Sequence, residues 1–239
     1  MESKGRSEIK EKLTQALAET RQREAELEDL CSDTPADPAG RWHPKDHLAH
    51  IAWHRDLNAR LIDAVRTQAE LPPEVDEAVN ASIYAATRDQ PVAEVRAAAR
   101  RSWDLLESVI EACTEEELEL PRPYGPPGRK LVDGSPGDHL AAHLMWCHLE
   151  AGNEKAAEAV LLWARELSSR TSSDPRTHAV GAYNLACFYA RTRQVAQALP
   201  LLHESFGVAP DLKDWSHKDP DLDPIRDDPR IVELLGAPA

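Results

Sequence analysis

The sequence predicts an all-α fold: an up-down four-helix bundle over residues 1–150, followed by helical hairpins over residues 151–239. Three observations predict it. Apolar residues recur at three- and four-residue spacing through nearly every long segment, the period of a helix with one buried face. Pro and Gly cluster between these segments and read as punctuation. No apolar/polar alternation runs far enough to make a sheet.

Residues 7–30 carry Ile9, Leu13, Ala16, Leu17, Leu27 and Leu30 on helical spacing, which predicts the first helix. "CSDTPADPAGRWHP" (31–44) is a loop rich in breakers. Pro44 opens the second helix, since a proline in the first turn gives up no helical hydrogen bond, and the pattern runs to about Thr67. "LPPEV" breaks it, and a shorter helix follows to about Thr87. The next helix restarts at Pro91, with Val95, Ala99, Trp103, Leu106 and Val109 on one stripe. "LPRPYGPPGRKLVDGSP" (120–136) is a long loop. Ser135 then looks like an N-cap with Pro136 at the first position of the last bundle helix.

The 239 residues are 41% hydrophobic and 29% charged, which suits one large or two small domains. A net charge of −14 disfavours a phosphate backbone or an anionic membrane as partner. The only basic groupings, Arg55/Arg60 and Arg96/Arg100/Arg101, are diluted by carboxylates. Four scattered cysteines, Cys31, Cys113, Cys147 and Cys187, form neither a CxxC nor a disulfide framework. "MESKGRSEIKEK" has no apolar core of a secretory signal, and "AVLLWA" is far too short to span a bilayer. A reduced, cytoplasmic, soluble protein is expected.

Histidines are the unusual feature. At about 100° per residue, His50 falls within roughly 40° of Leu57, Leu61 and Ala64, so it points into the bundle, with His47 and His54 toward the stripe's edges. The same projection gathers His139, His143 and Trp146 within about 60°, and puts His148 on the far side. The helix holding them is expected to serve both halves, its histidine face closing the bundle and its His148 side packing on the following helices. Three inward imidazoles from two helices fit a divalent metal with an open coordination position. They equally fit core histidines bonded to backbone or carboxylates. Asp46, one turn before His50, fits an outer partner of that imidazole or an ordinary first-turn carboxylate. Trp42, Trp53 and Trp146 fit core packing or a pocket wall.

After Gly152 the pattern changes. "AVGAYNLACFYARTRQVAQALPLLHESFGVAP" resembles the tetratricopeptide repeat (TPR), with Leu185-Ala186, Tyr189, Ala198, Leu202, Ser205 and a closing Pro210. "GNEKAAEAVLLWAREL" resembles the turn and second helix of a preceding unit, and "DLKDWSHKDPDLDPIRDDPRIVELL" a degenerate capping end.

Residues 7–150 resemble the DinB/YfiT-like superfamily and, within it, the ClbS/DfsB four-helix bundles. The resemblance rests on "RWHPKDHLAHIAWH", on "DEAVNASIYAATRDQPVAEVRAAARRSWDLLESVI" and on "GSPGDHLAAH", in that order. It implies a metal triad of His50, His139 and His143, the three the projection selects. Pro136-Gly137-Asp138 departs from the family's Thr-Tyr-Glu at that point. The resemblance further implies a metal-dependent thiol transferase or hydrolase in detoxification or resistance. Its cofactors would be a divalent ion of the Zn, Ni or Fe class and a low-molecular-weight thiol, and its substrate a small molecule. The other readings are a non-enzymatic binding or scaffold protein that engages a protein or peptide through the repeats, and a metal-free bundle acting through Cys113 or Cys147 as a redox thiol.

Overall fold

The computed structural model describes residues 3–37, 39–76, 78–124, 130–132 and 136–236, with side chains from Ile9 onward. The described residues form helices and one isolated bridge, Pro121 to Lys130, with no strand. The bundle holds α1 (Ser3–Leu30), α2 (Pro44–Thr67), α3 (Ala78–Thr87), α4 (Val92–Ala112), the single turn α5 (Glu115–Leu118) and α6 (Asp138–Glu150). Then come α7 (Glu154–Thr171), α8 (Pro175–Arg191), α9 (Val195–Val208), α10 (Pro210–Ser216), a 3-10 turn (Pro220–Ile225) and α11 (Pro229–Leu235).

Each bundle helix buries the stripe its spacing predicts. On α1 these are Leu13, Ala16, Leu17 and Leu27, whereas Ile9 and Leu30, near the two ends where fewer neighbours cover the helix, stay 42% and 39% exposed. On α4 the whole stripe from Val95 to Val109 is buried against α2. The turn α5 carries a signature visible in "TEEE": Thr114 Oγ1 accepts from the Glu117 amide, and the Glu117 carboxylate accepts from the Thr114 amide. Two buried ties fix the start of α2. Lys45 Nζ donates to the carbonyls of Arg88 and Gln90, and Asp46 accepts from the His43 amide at 2.8 Å. Asp46 therefore caps its own helix and does not orient His50.

α6 begins at Asp138, two residues later than the Ser135–Pro136 cap suggests; Gly137 is its N-cap, and Ser135 lies outside the described residues. A Cβ on Gly137 would come within 3.0 Å of the Trp163 ring and 3.1 Å of Leu167, so α7 crosses closely over this turn. Ser168 Oγ also donates to Asp138, one residue further on.

The later helices use one starting device repeatedly. Asp174-Pro175, Asp219-Pro220 and Asp228-Pro229 each place an aspartate N-cap before a proline at the first helical position. α8 and α9 form a hairpin about the 192–194 turn, with Leu185, Ala186, Ala198 and Leu202 buried between them. Pro210 follows the end of α9 and opens α10. Asp219 anchors the terminal segment, accepting from Tyr183 Oη at 2.7 Å and Trp215 Nε1 at 3.2 Å.

One continuous apolar cluster runs from Leu27 and Leu48 through Leu140 and Leu144 of α6 to Phe188, Leu202 and Ile231. A second occupies the other end of the bundle, around Leu13, Ile62, Trp103, Leu106 and Ile110. α6 packs on α1, α2 and α7 and so touches both halves, as its two-sided pattern suggests. The details of its sides differ. His148 also faces Glu26 of α1, its Nε2 3.9 Å from the carboxylate. Trp146 shares the azimuth of the histidines but lies two turns, about 10 Å, beyond His139. There its ring meets Arg191 of α8, 3.5 Å from the guanidinium carbon.

Candidate metal centre

Two helices deliver the histidines. α2 contributes His47, His50 and His54 on adjacent turns, and α6 contributes His139 and His143 one turn apart, an i,i+4 pair on one face. Their rings converge. His50 Nε2 lies 3.0 Å from His139 Nε2, and His143 Nε2 lies 3.1 Å from the same atom. The three nitrogens all lie within 4.8 Å of one another.

That geometry bears on the two readings left open by the sequence. None of the three rings bonds to a backbone group or a carboxylate among the described residues. A neutral imidazole nitrogen offers one lone pair or one proton along one direction. His139 Nε2 cannot bond well to both neighbours at once. An ion at about 2.0–2.1 Å from each nitrogen sets its ligands about 2.8–3.4 Å apart, from octahedral to tetrahedral angles. The observed 3.0 and 3.1 Å fall within that window.

The electrostatics suit the same role. Burial drives the His50 pKa from 6.5 down to about 3, reinforced by His139, His54 and His47. Burial likewise takes His47 and His139 to about 4, and His143 well below its ordinary value. His139 is exposed where it lines the cavity beside the cluster. All four rings are therefore neutral at pH 7, with lone pairs to give.

The surroundings hold residues the sequence pattern did not single out as partners. His47 Nδ1 sits 2.8 Å from His143 Nδ1, on the side of that ring away from the cluster. His54 Nε2 lies 3.2 Å from Asn80 Oδ1. Trp42 forms a lid over the histidines, 5.1 Å from the His50 ring and nearly parallel to His143 at 6.2 Å, with Tyr84 stacked on it at 6.0 Å. Trp42 is thus a site wall. Trp53 meets only the edge of His54 among these rings, and Trp146 belongs to the α8 contact described above. His50 Nδ1 and the Tyr84 hydroxyl are buried without a partner.

Beside the cluster a cavity of about 640 Å³ reaches His50, His54 and His139, a size ordinary for a small-molecule site. Arg55 lines it but is no surface cation: it pairs with buried Glu24 and stacks on Trp103, 3.8 Å from the ring centroid. The cysteines offer no competing nucleophile. All four are buried and free, and burial pushes Cys147 up to about 12 and raises Cys113 as well.

A family profile describing the DinB superfamily matches residues 11–146, more than half of the chain. The chain belongs to the DinB superfamily. DinB-superfamily bundles commonly bind a divalent metal, and in this one the three converging histidines lie within the matched span. No curated protein and no solved structure matches the chain.

Proposed function

We propose that this DinB-superfamily bundle is a metal-dependent enzyme that modifies a small molecule, with His50, His139 and His143 as the ligands of one divalent ion. The observation that carries the reading is the convergence of three neutral imidazoles beside a cavity, with His139 Nε2 3.0 Å from His50 Nε2 and 3.1 Å from His143 Nε2 and all three within 4.8 Å. An ion of the Zn, Ni or Fe class bound there supplies a Lewis acid and lowers the pKa of a water or thiol that binds it. Of the reactions open to such a site, a low-molecular-weight-thiol transfer or a hydrolysis in detoxification is the one we favour, in keeping with the ClbS/DfsB resemblance.

The chain's own residues do the rest. His47, bonded to His143 Nδ1, holds a proton on that atom and leaves Nε2 bare toward the cluster. Trp42 covers the histidines and limits water on one side. We assign the TPR-like tail a buttressing role: α7 clamps the N-terminus of α6 through Trp163, Leu167 and Ser168. The protein is expected to work in the cytoplasm, where its four free thiols stay reduced.

Elemental analysis of protein purified without a histidine tag and then loaded with metal tests the reading. About one divalent ion per chain is expected, lost in His50→Ala and His143→Ala. Folded protein that neither carries nor takes up an ion overturns it.

A further inference from the structure

The cavity beside the histidines has two unlike ends. One presents His50, His54 and His139, with Asn80 and the exposed Asp76 leading to solvent. The other is walled by Leu13 and Leu17 of α1, Ile62 of α2, and Leu106 and Ile110 of α4. Those five side chains are no more than 7% exposed and belong to the bundle's second apolar cluster, so this end of the cavity is a hollow within that cluster.

The polar groups between the two ends are already satisfied. Arg55 pairs with Glu24, donates to Ser102 Oγ and the Ala99 carbonyl, and lies against the Trp103 face. Glu24 also accepts from Trp103 Nε1 at 2.9 Å, and Thr20 Oγ1 donates back to the Ala16 carbonyl at 2.8 Å. Among the described residues, Arg55, Glu24 and Thr20 therefore leave few free partners for water there. From Leu13 to Glu24 the cavity follows α1 for about 16 Å, an elongated shape.

We propose that this chamber receives the unbranched alkyl or acyl chain of an amphiphile whose metal-binding head lies at His50 and His139. The substrate class is thus a straight-chain aliphatic compound with one polar, reactive end. The placement of the head rests on the proposed metal centre; the chamber itself does not. Burying each methylene contributes about 0.8 kcal/mol, close to fourfold in affinity.

Calorimetric titration of metal-loaded protein with aceto-, hexano-, octano- and decanohydroxamate tests the whole. A parallel titration of metal-free protein with n-alkanols of matching length tests the chamber alone. Affinity is expected to rise about three- to fourfold per methylene in both series until the hollow is filled. Leu17→Trp fills the chamber and is expected to flatten the slope while acetohydroxamate binding is kept; Leu106→Trp, from the facing wall, serves if the first variant does not fold. An alkanol slope with no hydroxamate binding sinks the metal centre and keeps the chamber. Affinity independent of chain length in the alkanol series overturns the chamber, whatever the metal result.

Discussion

His47 Nδ1 and His143 Nδ1 face each other across 2.8 Å, the distance of a shared proton. With His143 Nε2 as a ligand of the proposed ion, His143 carries that proton on Nδ1, and His47 accepts it and fixes the tautomer of the ring it touches. His47 lies outside the triad, and its effect is exerted wholly through His143. Removing such an outer partner typically weakens metal binding 10–100-fold. His47→Ala is expected to keep one ion per chain but lose affinity by about that factor, as read by competition with a chromogenic chelator. Unchanged affinity would remove His47 from the site.

Glu24 and Arg55 make a second testable pair. Both are buried, and Trp103 serves each of them, as donor to the carboxylate and as a face for the guanidinium. Burial raises the Glu24 pKa despite Arg55, and burial lowers that of Arg55 despite Glu24, so each charge is tolerable only beside the other. Glu24→Leu or Arg55→Met alone is expected to cost about 3–5 kcal/mol, while the double variant is far less harmful. Denaturant unfolding of the three variants checks it; additive losses would mean the pair acts as two independent groups.

How much of this was legible in the sequence follows from what kind of force each feature reflects. The stripes of α2 and α4 were readable because burial follows periodicity, and the same arithmetic put His50, His139 and His143 on inward faces. Azimuth alone says nothing about height along a helix, so Trp146 was grouped with histidines two turns away when its neighbour is Arg191. Nor does it say which element lies outside, which is why His148 meets Glu26 of α1. Glu24 and Arg55 lie 31 residues apart in sequence, on different helices, and leave no local pattern at all. Ser135-Pro136 is good local capping chemistry, yet α6 starts at Asp138, and the close packing of α7 on Gly137 leaves no local pattern.

Acid should weaken the fold through the same histidines. In the metal-free folded chain His50 takes a proton only near pH 3, and His47 and His139 near pH 4, whereas each does so near 6.5 when unfolded. Between those values the unfolded chain holds more protons, so stability falls as pH drops. The full contribution is present above 6.5, is lost progressively on the way down to about 3–4, and changes little below that. Thermal melts in chelator at pH 7.5, 6, 5 and 4 are expected to show a steady decline, steeper than in a His47→Asn/His50→Asn variant. Parallel pH profiles would rule out these rings as the cause.

Gly137 ties the triad helix to the appended helices, and the departure from the family's motif tests that link. The chain has glycine where its relatives are expected to carry tyrosine, and the glycine lies under Trp163 and Leu167 of α7. Its backbone, at φ −88°, is open to any residue, so the requirement is one of space and not of conformation. A methyl group needs those side chains to yield by a few tenths of an ångström, whereas a phenol ring must displace Trp163 altogether. Gly137→Ala is therefore expected to be mild, and Gly137→Tyr to cost about 1–3 kcal/mol, the usual range for an overpacked contact. Displacing α7 also disturbs the Ser168–Asp138 bond, one residue before His139. Gly137→Tyr should accordingly weaken metal affinity along with stability, and trimming the obstructing ring with Trp163→Ala should restore part of the metal affinity. A tyrosine variant with wild-type stability and affinity would show that the later helices do not position the histidines.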